Sequence, residues 1–163
     1  MANTQSMATS FLGELMLAQH QLGASTIVSR GSLTAPTVDT LKAALYLASA
    51  TINAATTAYS ATGEVSGTGY TAGGITITNA TAPTSTNSSA TAGVGYWTPS
   101  ASFTYTTVTL ATAFDCVLVY NSTQSNKAIS VHTFGSQTIT AGTFTLTMPS
   151  NTPTTALLRL ATT

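Results

Sequence analysis

The first candidate for ligand chemistry is the glycine-rich segment GEVSGTGYTAGG at residues 63–74. Glycine-rich loops bind phosphate when they join a strand to a helix with the spacing G-x-G-x-x-G. Here the third glycine, Gly73, comes one residue late, and the alternating run ITITNAT that follows predicts a strand. No lysine follows these glycines as a P-loop would require. We therefore predict a turn whose glycines supply positive φ, and no nucleotide site.

The residues that could carry acid–base or metal chemistry are few. His20 and His132 share no motif, and the sequence contains neither C-x-x-C nor H-E-x-x-H. Asp39 and Asp115 could meet in space, but four acids in the whole chain leave little scope for a general acid/base pair. Cys116, the only cysteine, lies in the apolar run FDCVLVY and is expected to be buried and inert. We expect no enzyme, no catalytic residue, no metal and no cofactor.

Two adjacent aromatic residues offer a different kind of site. Tyr96 and Trp97 lie in the segment GVGYWTPS and could stack on a sugar in a carbohydrate-binding β-sandwich. Adjacent aromatic residues of this kind more often belong to the core at the start of a strand. Carbohydrate binding is therefore kept as an alternative.

The one charged residue of the glycine-rich segment is Glu64. A buried charge needs a partner, and a cation would hold the loop in place. The candidates for that cation are Arg30, Lys42 and Arg159.

Charge is scarce throughout the chain. Only 5% of the 163 residues are charged, with net charge zero, against about 25% in ordinary soluble domains. The sequence has no basic stripe for nucleic acid, no polybasic segment for anionic lipid and no apolar run long enough for a membrane span. Thirty-six threonines supply polarity instead. A near-neutral protein tends to associate, so we expect a homo-oligomer, with a trimer favoured over a dimer, and no nucleic-acid or membrane partner.

The pattern at the start of the chain is mixed. Residues 7–20, MATSFLGELMLAQH, predict a short amphipathic helix. The run VDTLKAALYLASATI at residues 38–52 fits either a helix or a buried strand, and periodicity does not decide between them.

Residues 75–163 are predicted to be the main strand-rich region. The segment FTYTTVTLATAFDCVLVYN fits two strands or one long bent strand, and STQSNK fits a turn. A hairpin is predicted in SQTITAGTFTLTMP, turning at Ala141-Gly142, and a last short strand in TALLRLA. The fold class is therefore all-β: one antiparallel β-sandwich or jelly-roll-like domain over residues 1–163, with a short N-terminal helix.

Four stretches in order carry a family resemblance: MATSFLGELMLAQH, TLKAALYLASATINAATTAYSATGEVSGTGYTAGG, VLVYNSTQSNKAISVHTFGSQTITAGTFTLTMP and LLRLA. Together they resemble a family of small structural proteins of tailed bacteriophages, over nearly the whole chain. EVSGTGYTAGG is the most specific motif. The chain departs from the family at RGSLTAPTVDT, which is longer, and at FDCVLVY, where an Arg-Gly pair is common, so no contact of that arginine is carried over.

The resemblance implies a virion component made in the host cytoplasm. Its expected role is capsid decoration or cement on the outer surface of the phage head, with the major capsid protein as partner. A neck, tail or head-fibre component is the alternative within the virion.

Overall fold

The computed structural model describes residues 3–8, 11, 15, 20, 22–23, 38–78, 80–86 and 93–161. Its strands are β1 (Ser6–Met7), β2 (Leu41–Leu47), β3 (Ile75–Thr76), β4 (Thr84–Ser85), β5 (Val94–Trp97), β6 (Phe103–Asn121), β7 (Lys127–Leu146) and β8 (Leu158–Ala161). They form a five-stranded sheet in the order β1-β7-β6-β2-β3 and a three-stranded sheet in the order β4-β5-β8. All pairings between these described strands are antiparallel. The protein is thus an all-β, sandwich-like structure, as its sequence predicts.

Within the stretch predicted to be a short helix, residues 7–20, the described residues Phe11 and Leu15 are helical and His20 is not. Met7 lies in β1, where it pairs with Ser130 of β7, so the predicted start is wrong. Residues 9–10, 12–14 and 16–19, on which such a helix would depend, lie outside the described residues. Within the described residues, no helix is long and apolar enough to span a membrane.

Strand β2 resolves the ambiguous segment 38–52 as a strand. It lies between β3 and β6 in the large sheet, and Ala43, Ala44, Leu45 and Tyr46 are all fully buried. Consecutive burial means that both faces of the strand are covered. Such a strand is apolar without alternation, which explains why its sequence resembles a buried helix.

The two longest strands, β6 and β7, form one ribbon that begins at the turn of residues 122–126. Their pairing extends from Asn121 with Lys127 to Phe103 with Leu146, with several bulges along the way. The alternative of one long bent strand is therefore correct for β6.

The hairpin predicted at Ala141-Gly142 is wrong. Ile139 pairs with Leu110, and Phe144 pairs with Tyr105, so the chain continues along β6 without reversing. Ala141 has positive φ (47°) at an irregularity in this pairing. A bulge and a tight turn use the same residue types at positive φ, and sequence alone did not separate them.

The core is one cluster of buried apolar side chains drawn from both sheets. Phe103, Phe114 and Leu118 of β6 contribute to it from the large sheet, and Trp97 of β5 from the small sheet. A partly buried aromatic group extends the cluster along the ribbon, with Phe144 packed edge-on to Phe114 at a ring-centroid distance of 5.2 Å.

Candidate functional site

The glycine-rich loop is an excursion from one extended segment that runs antiparallel to β2. At the start of the loop, Leu47 N donates to Gly63 O (2.9 Å) and Val65 N to Leu45 O (3.0 Å). After it, β3 pairs with the other end of β2. Between them the loop reaches β6, where Thr109 N donates to Thr68 O (2.9 Å). The loop therefore ties the edge of β2 to the edge of β6.

Positive φ at Gly63, Gly69, Gly73 and Gly74 confirms the predicted glycine-dependent turn. Two of these positions also lie against other backbone. A Cβ at Gly69 would collide with the carbonyl oxygen of Thr107, and one at Gly74 with that of Ala43. The sequence thus needs glycine here for both conformation and close approach.

The carboxylate of Glu64 organises the interior of the loop. Its Oε2 accepts a hydrogen bond from Tyr59 Oη (2.6 Å), and its Oε1 accepts from Tyr70 Oη (2.7 Å) and from Gly73 N (2.7 Å). Tyr70 Oη in turn accepts from Leu45 N of β2 (3.0 Å). The charge is therefore satisfied by neutral donors that connect the loop to the sheet.

The cation expected beside Glu64 is not found among the described residues. Arg159 instead donates to Thr154 O (2.8 Å). Lys42 approaches Gly73, near enough to contact a Cβ added there, but no described ion pair joins Lys42 to Glu64. Arg30 lies outside the described residues.

Burial raises the pKa of five tyrosines around the loop and the adjoining sheet. They are Tyr46, Tyr59, Tyr70, Tyr105 and Tyr120. Burial, and then the hydrogen bond to Glu64, raise the pKa of Tyr59 to about 12. Burial, and then the negative charge of Glu64, raise the pKa of Tyr120 to about 12. These hydroxyls remain protonated donors at neutral pH, so the network acts as a structural support.

A cleft of about 400 Å³ lies between the loop and β6. Its wall includes Lys42 together with the threonines Thr71, Thr76, Thr104 and Thr106. Its described lining residues therefore present an ammonium and hydroxyls and include no acid that could form an acid–base pair.

The aromatic pair Tyr96 and Trp97 does not form the exposed platform that sugar binding would need. Trp97 is only 1% exposed, and its Nε1 donates to Thr81 O (2.8 Å). It pairs with Leu158 in the small sheet and lines a cavity of about 300 Å³ with Tyr96. A ring that is covered in this way is a core residue, as the alternative interpretation of these residues held.

Asp39 and Asp115 do not meet. Asp39 Oδ2 accepts from Asn121 Nδ2 (2.6 Å), and Asn121 pairs with Leu41, the first residue of β2. Asp115 Oδ1 accepts from Asn3 Nδ2 (2.5 Å), near the other end of β2. Each acid holds separate segments together, and the two form no acid–base pair.

His132 pairs with a serine that sequence reasoning did not single out. Its Nε2 lies 2.8 Å from Ser130 Oγ, because residues two apart in a strand share a face. Burial lowers the pKa of His132 to about 4, so the ring is neutral at pH 7. Ser130 is 1% exposed, which closes its hydroxyl to a substrate.

Cys116 is buried as expected. Burial, and then the negative charge of Asp115, raise the pKa of its thiol to about 12. The thiolate that nucleophilic chemistry needs is therefore scarce. In the described part of the chain, no group of three or more His, Cys, Asp or Glu residues could hold a metal ion.

The outer part of the β6–β7 ribbon contains many exposed residues. Residues 103–114 and 133–146 contain no charged residue. Exposed threonines, such as Thr143 and Thr145, alternate with partly buried apolar side chains such as Phe144. On the outer side of β7, the described strand β1 pairs with Ser130 and Val131. Sequence reasoning did not predict this exposed outer edge of β7, because the hairpin predicted at Ala141-Gly142 would have covered part of it.

In comparisons with known proteins, no family model, no curated protein and no solved structure matched this chain.

Proposed function

We propose that the protein is a structural component of a tailed-phage virion that decorates and stabilises the outer surface of the head. Its partners are the major capsid protein and further copies of itself, and it is made in the host cytoplasm before assembly. The family resemblance of the sequence motivates this proposal, and the chemistry of the exposed surface supports it.

The observation that carries the proposal is the uncharged, hydroxyl-rich outer part of the β6–β7 ribbon. A freely diffusing protein usually covers exposed strands with charge. This ribbon instead presents threonine hydroxyls beside partly buried aromatic rings. Such a surface suits a permanent contact made of apolar burial and neutral hydrogen bonds.

Three of the charged side chains form hydrogen bonds within the fold. Glu64 is bonded within its loop, Asp39 to Asn121 and Asp115 to Asn3. These three carboxylates are engaged inside the fold and are not offered to a partner. The contact with the capsid must then rely on other groups.

The mechanism is addition of buried surface between neighbouring capsid subunits, without bond chemistry. Each Å² of apolar surface removed from water contributes roughly 25 cal/mol. A protein that bridges two subunits adds this free energy to the cost of separating them. The same surface chemistry also fits a neck, tail or head-fibre component, which would differ in position and copy number.

A map of the purified particle tests the proposal, with the protein located by comparison with particles assembled without it. Hundreds of copies on the head surface are expected for a decoration protein. A dozen or fewer copies at one vertex would replace that role by a neck or tail role. Absence of the protein from purified particles would refute a virion role.

The carbohydrate-binding alternative loses its proposed platform, because Trp97 is covered. A glycan array in which Trp97→Ala abolishes specific binding would restore it. We expect that no glycan binds specifically through Trp97.

A further inference from the structure

The outer edge of β7 has a short, regular stretch without a strand partner in the described part of the chain. On the inner side, Phe144, Thr145 and Leu146 pair with three consecutive residues of β6. The pairing is irregular beyond Phe144: Gly142 pairs with Val108, so β6 has one more residue than β7 between these two pairs, and a second irregularity lies at Ala141. Because the extra residue belongs to β6, residues 142–146 of β7 form an extended edge that has no strand partner on its outer side among the described residues.

Nothing in its composition protects this edge. Edge strands usually carry a lysine, another charged residue or a proline that prevents pairing with a second chain. Residues 133–146 contain none of these. The bulges farther along the ribbon disturb the rest of the edge, so pairing is confined to residues 142–146.

The sequence of the stretch, GTFTL, is nearly symmetric about Phe144. In an antiparallel pair centred on Phe144, Thr143 of one copy lies opposite Thr145 of the other. Phe144 then lies opposite its own equivalent, and Gly142 leaves room for Leu146. Threonine pairs and aromatic pairs are both favourable across antiparallel strands.

We propose that residues 142–146 pair antiparallel with the same residues of a second copy, about a two-fold axis at Phe144. The chain that pairs with this edge is a second copy, because a second copy supplies an uncharged, already extended strand with the matching order of side chains. The contact is isologous, so each copy contributes the same surface.

Pairing would also cover the partly exposed aromatic group of the ribbon. Phe144 packs against Phe134 and Phe114, with ring-centroid distances of 5.0 and 5.2 Å. In the monomer, Phe144 is only partly buried. A second strand on the outer edge of β7 places another Phe144 beside this group on the same face of the extended sheet.

This inference concerns the contact between copies and does not depend on attachment to a phage head. It predicts a dimer in solution, whereas composition favoured a trimer, which would need a different surface. The mass of the free protein therefore distinguishes the two.

The first test is sedimentation equilibrium of the wild type and of the double variant Thr143→Lys/Thr145→Lys. We expect a concentration-dependent dimer for the wild type. The variant places lysines of the two copies opposite each other and should raise the dissociation constant by at least about tenfold. Ala61→Lys, at an exposed position in another loop, should leave it unchanged. Circular dichroism checks that each variant is folded.

The second test locates the two-fold axis with cysteines at exposed positions. Thr143→Cys/Thr145→Cys should oxidise to a covalent dimer, because opposite residues approach to about 4.5–5.5 Å between Cα atoms, within reach of a disulfide. The control Thr145→Cys/Thr147→Cys moves the cysteines away from that axis. Cys116 is buried and should not contribute, which the wild type checks.

Three results would overturn the proposal. The first is a monomer at every concentration, and the second is a trimer. The third is a dimer that cross-links in the control variant and not in Thr143→Cys/Thr145→Cys, since its axis would lie elsewhere.

Discussion

At the scale of single residues, Glu64 shows how a chain with few charges uses one of them. Its carboxylate accepts hydrogen bonds from two tyrosines and one backbone N–H. Sequence reasoning recognised that this charge needs a partner, but it expected a cation. Neutral donors were harder to foresee, because Tyr59 and Tyr70 meet the acid only when the loop closes.

Replacing Glu64 by glutamine should destabilise the fold. Glutamine keeps the size of the side chain but loses the charge, and its amide group cannot accept from all three donors. Hydrogen bonds to a charged group contribute about 1.5–3 kcal/mol, so we expect the free energy of unfolding to fall by about 1–3 kcal/mol. Urea unfolding measures this, with Thr62→Ala as an exposed control. Equal stability of Glu64→Gln and wild type would show that the network contributes nothing.

His132 should make stability depend on pH. Burial lowers its pKa from 6.5 to about 4 in the folded state. His132 lines a cavity of about 250 Å³ whose wall also includes Arg159. The unfolded chain therefore binds a proton first as the pH falls. The contribution of His132 to the free energy of unfolding is fully present above about pH 6.5 and is lost as the pH falls toward about 4.

Urea unfolding of wild type and His132→Gln at about pH 7 and about pH 5 tests this dependence. The wild type should lose more stability between the two pH values than the variant does. Equal losses would mean that groups other than His132 cause the acid sensitivity.

At the scale of elements, the sequence predicted the strand-rich character, the turn at STQSNK and the last strand. It failed where one pattern serves two structures. The apolar run of β2 suits a helix or a fully buried strand, and only its place between β3 and β6 decides. Ala141 and Gly142 suit a turn or a bulge, and only pairing with distant residues of β6 decides. Both decisions depend on contacts between residues far apart in sequence.

The glycine-rich loop should tolerate side chains poorly at defined positions. Valine at Gly69 would adopt an unfavourable positive φ and would collide with the carbonyl of Thr107. Valine at Gly73 also has positive φ but meets only the side-chain ends of Tyr120 and Lys42. Left-handed backbone alone costs roughly 1–2 kcal/mol for a residue with a Cβ.

We therefore expect soluble yield and melting temperature to fall for both variants, and further for Gly69→Val. Each kcal/mol should lower the melting temperature by roughly 2–4 °C in a protein of this size. The matched control is Gly135→Val in β7, where an added Cβ meets nothing within 4 Å. Wild-type behaviour of both loop variants would show that the loop is not conformationally special.

At the scale of the whole molecule, composition led to an expectation about assembly that stays a prediction. The scarcity of charge led to the expectation of an assembly protein before any strand was placed. The surface proposed to pair with a second copy could not be predicted from the sequence, because the exposed edge of β7 exists only once the ribbon with β6 has formed. The alternative platform at Trp97 was misplaced for a related reason, since packing of the small sheet covers the ring.

The last prediction concerns how the protein holds to a particle. With only eight charged side chains, contacts with a capsid must be mainly apolar burial and neutral hydrogen bonds. Salt screens exposed ion pairs, since the Debye length falls from about 10 Å at 0.1 M to about 3 Å at 1 M, and it scarcely affects apolar burial. Attachment should therefore survive washing of purified particles in molar NaCl and fail in denaturant, as read from pelleted particles on a gel. Release between about 0.1 and 1 M NaCl would show instead that a few charges, such as Arg30, Lys127 or Arg159, carry the attachment.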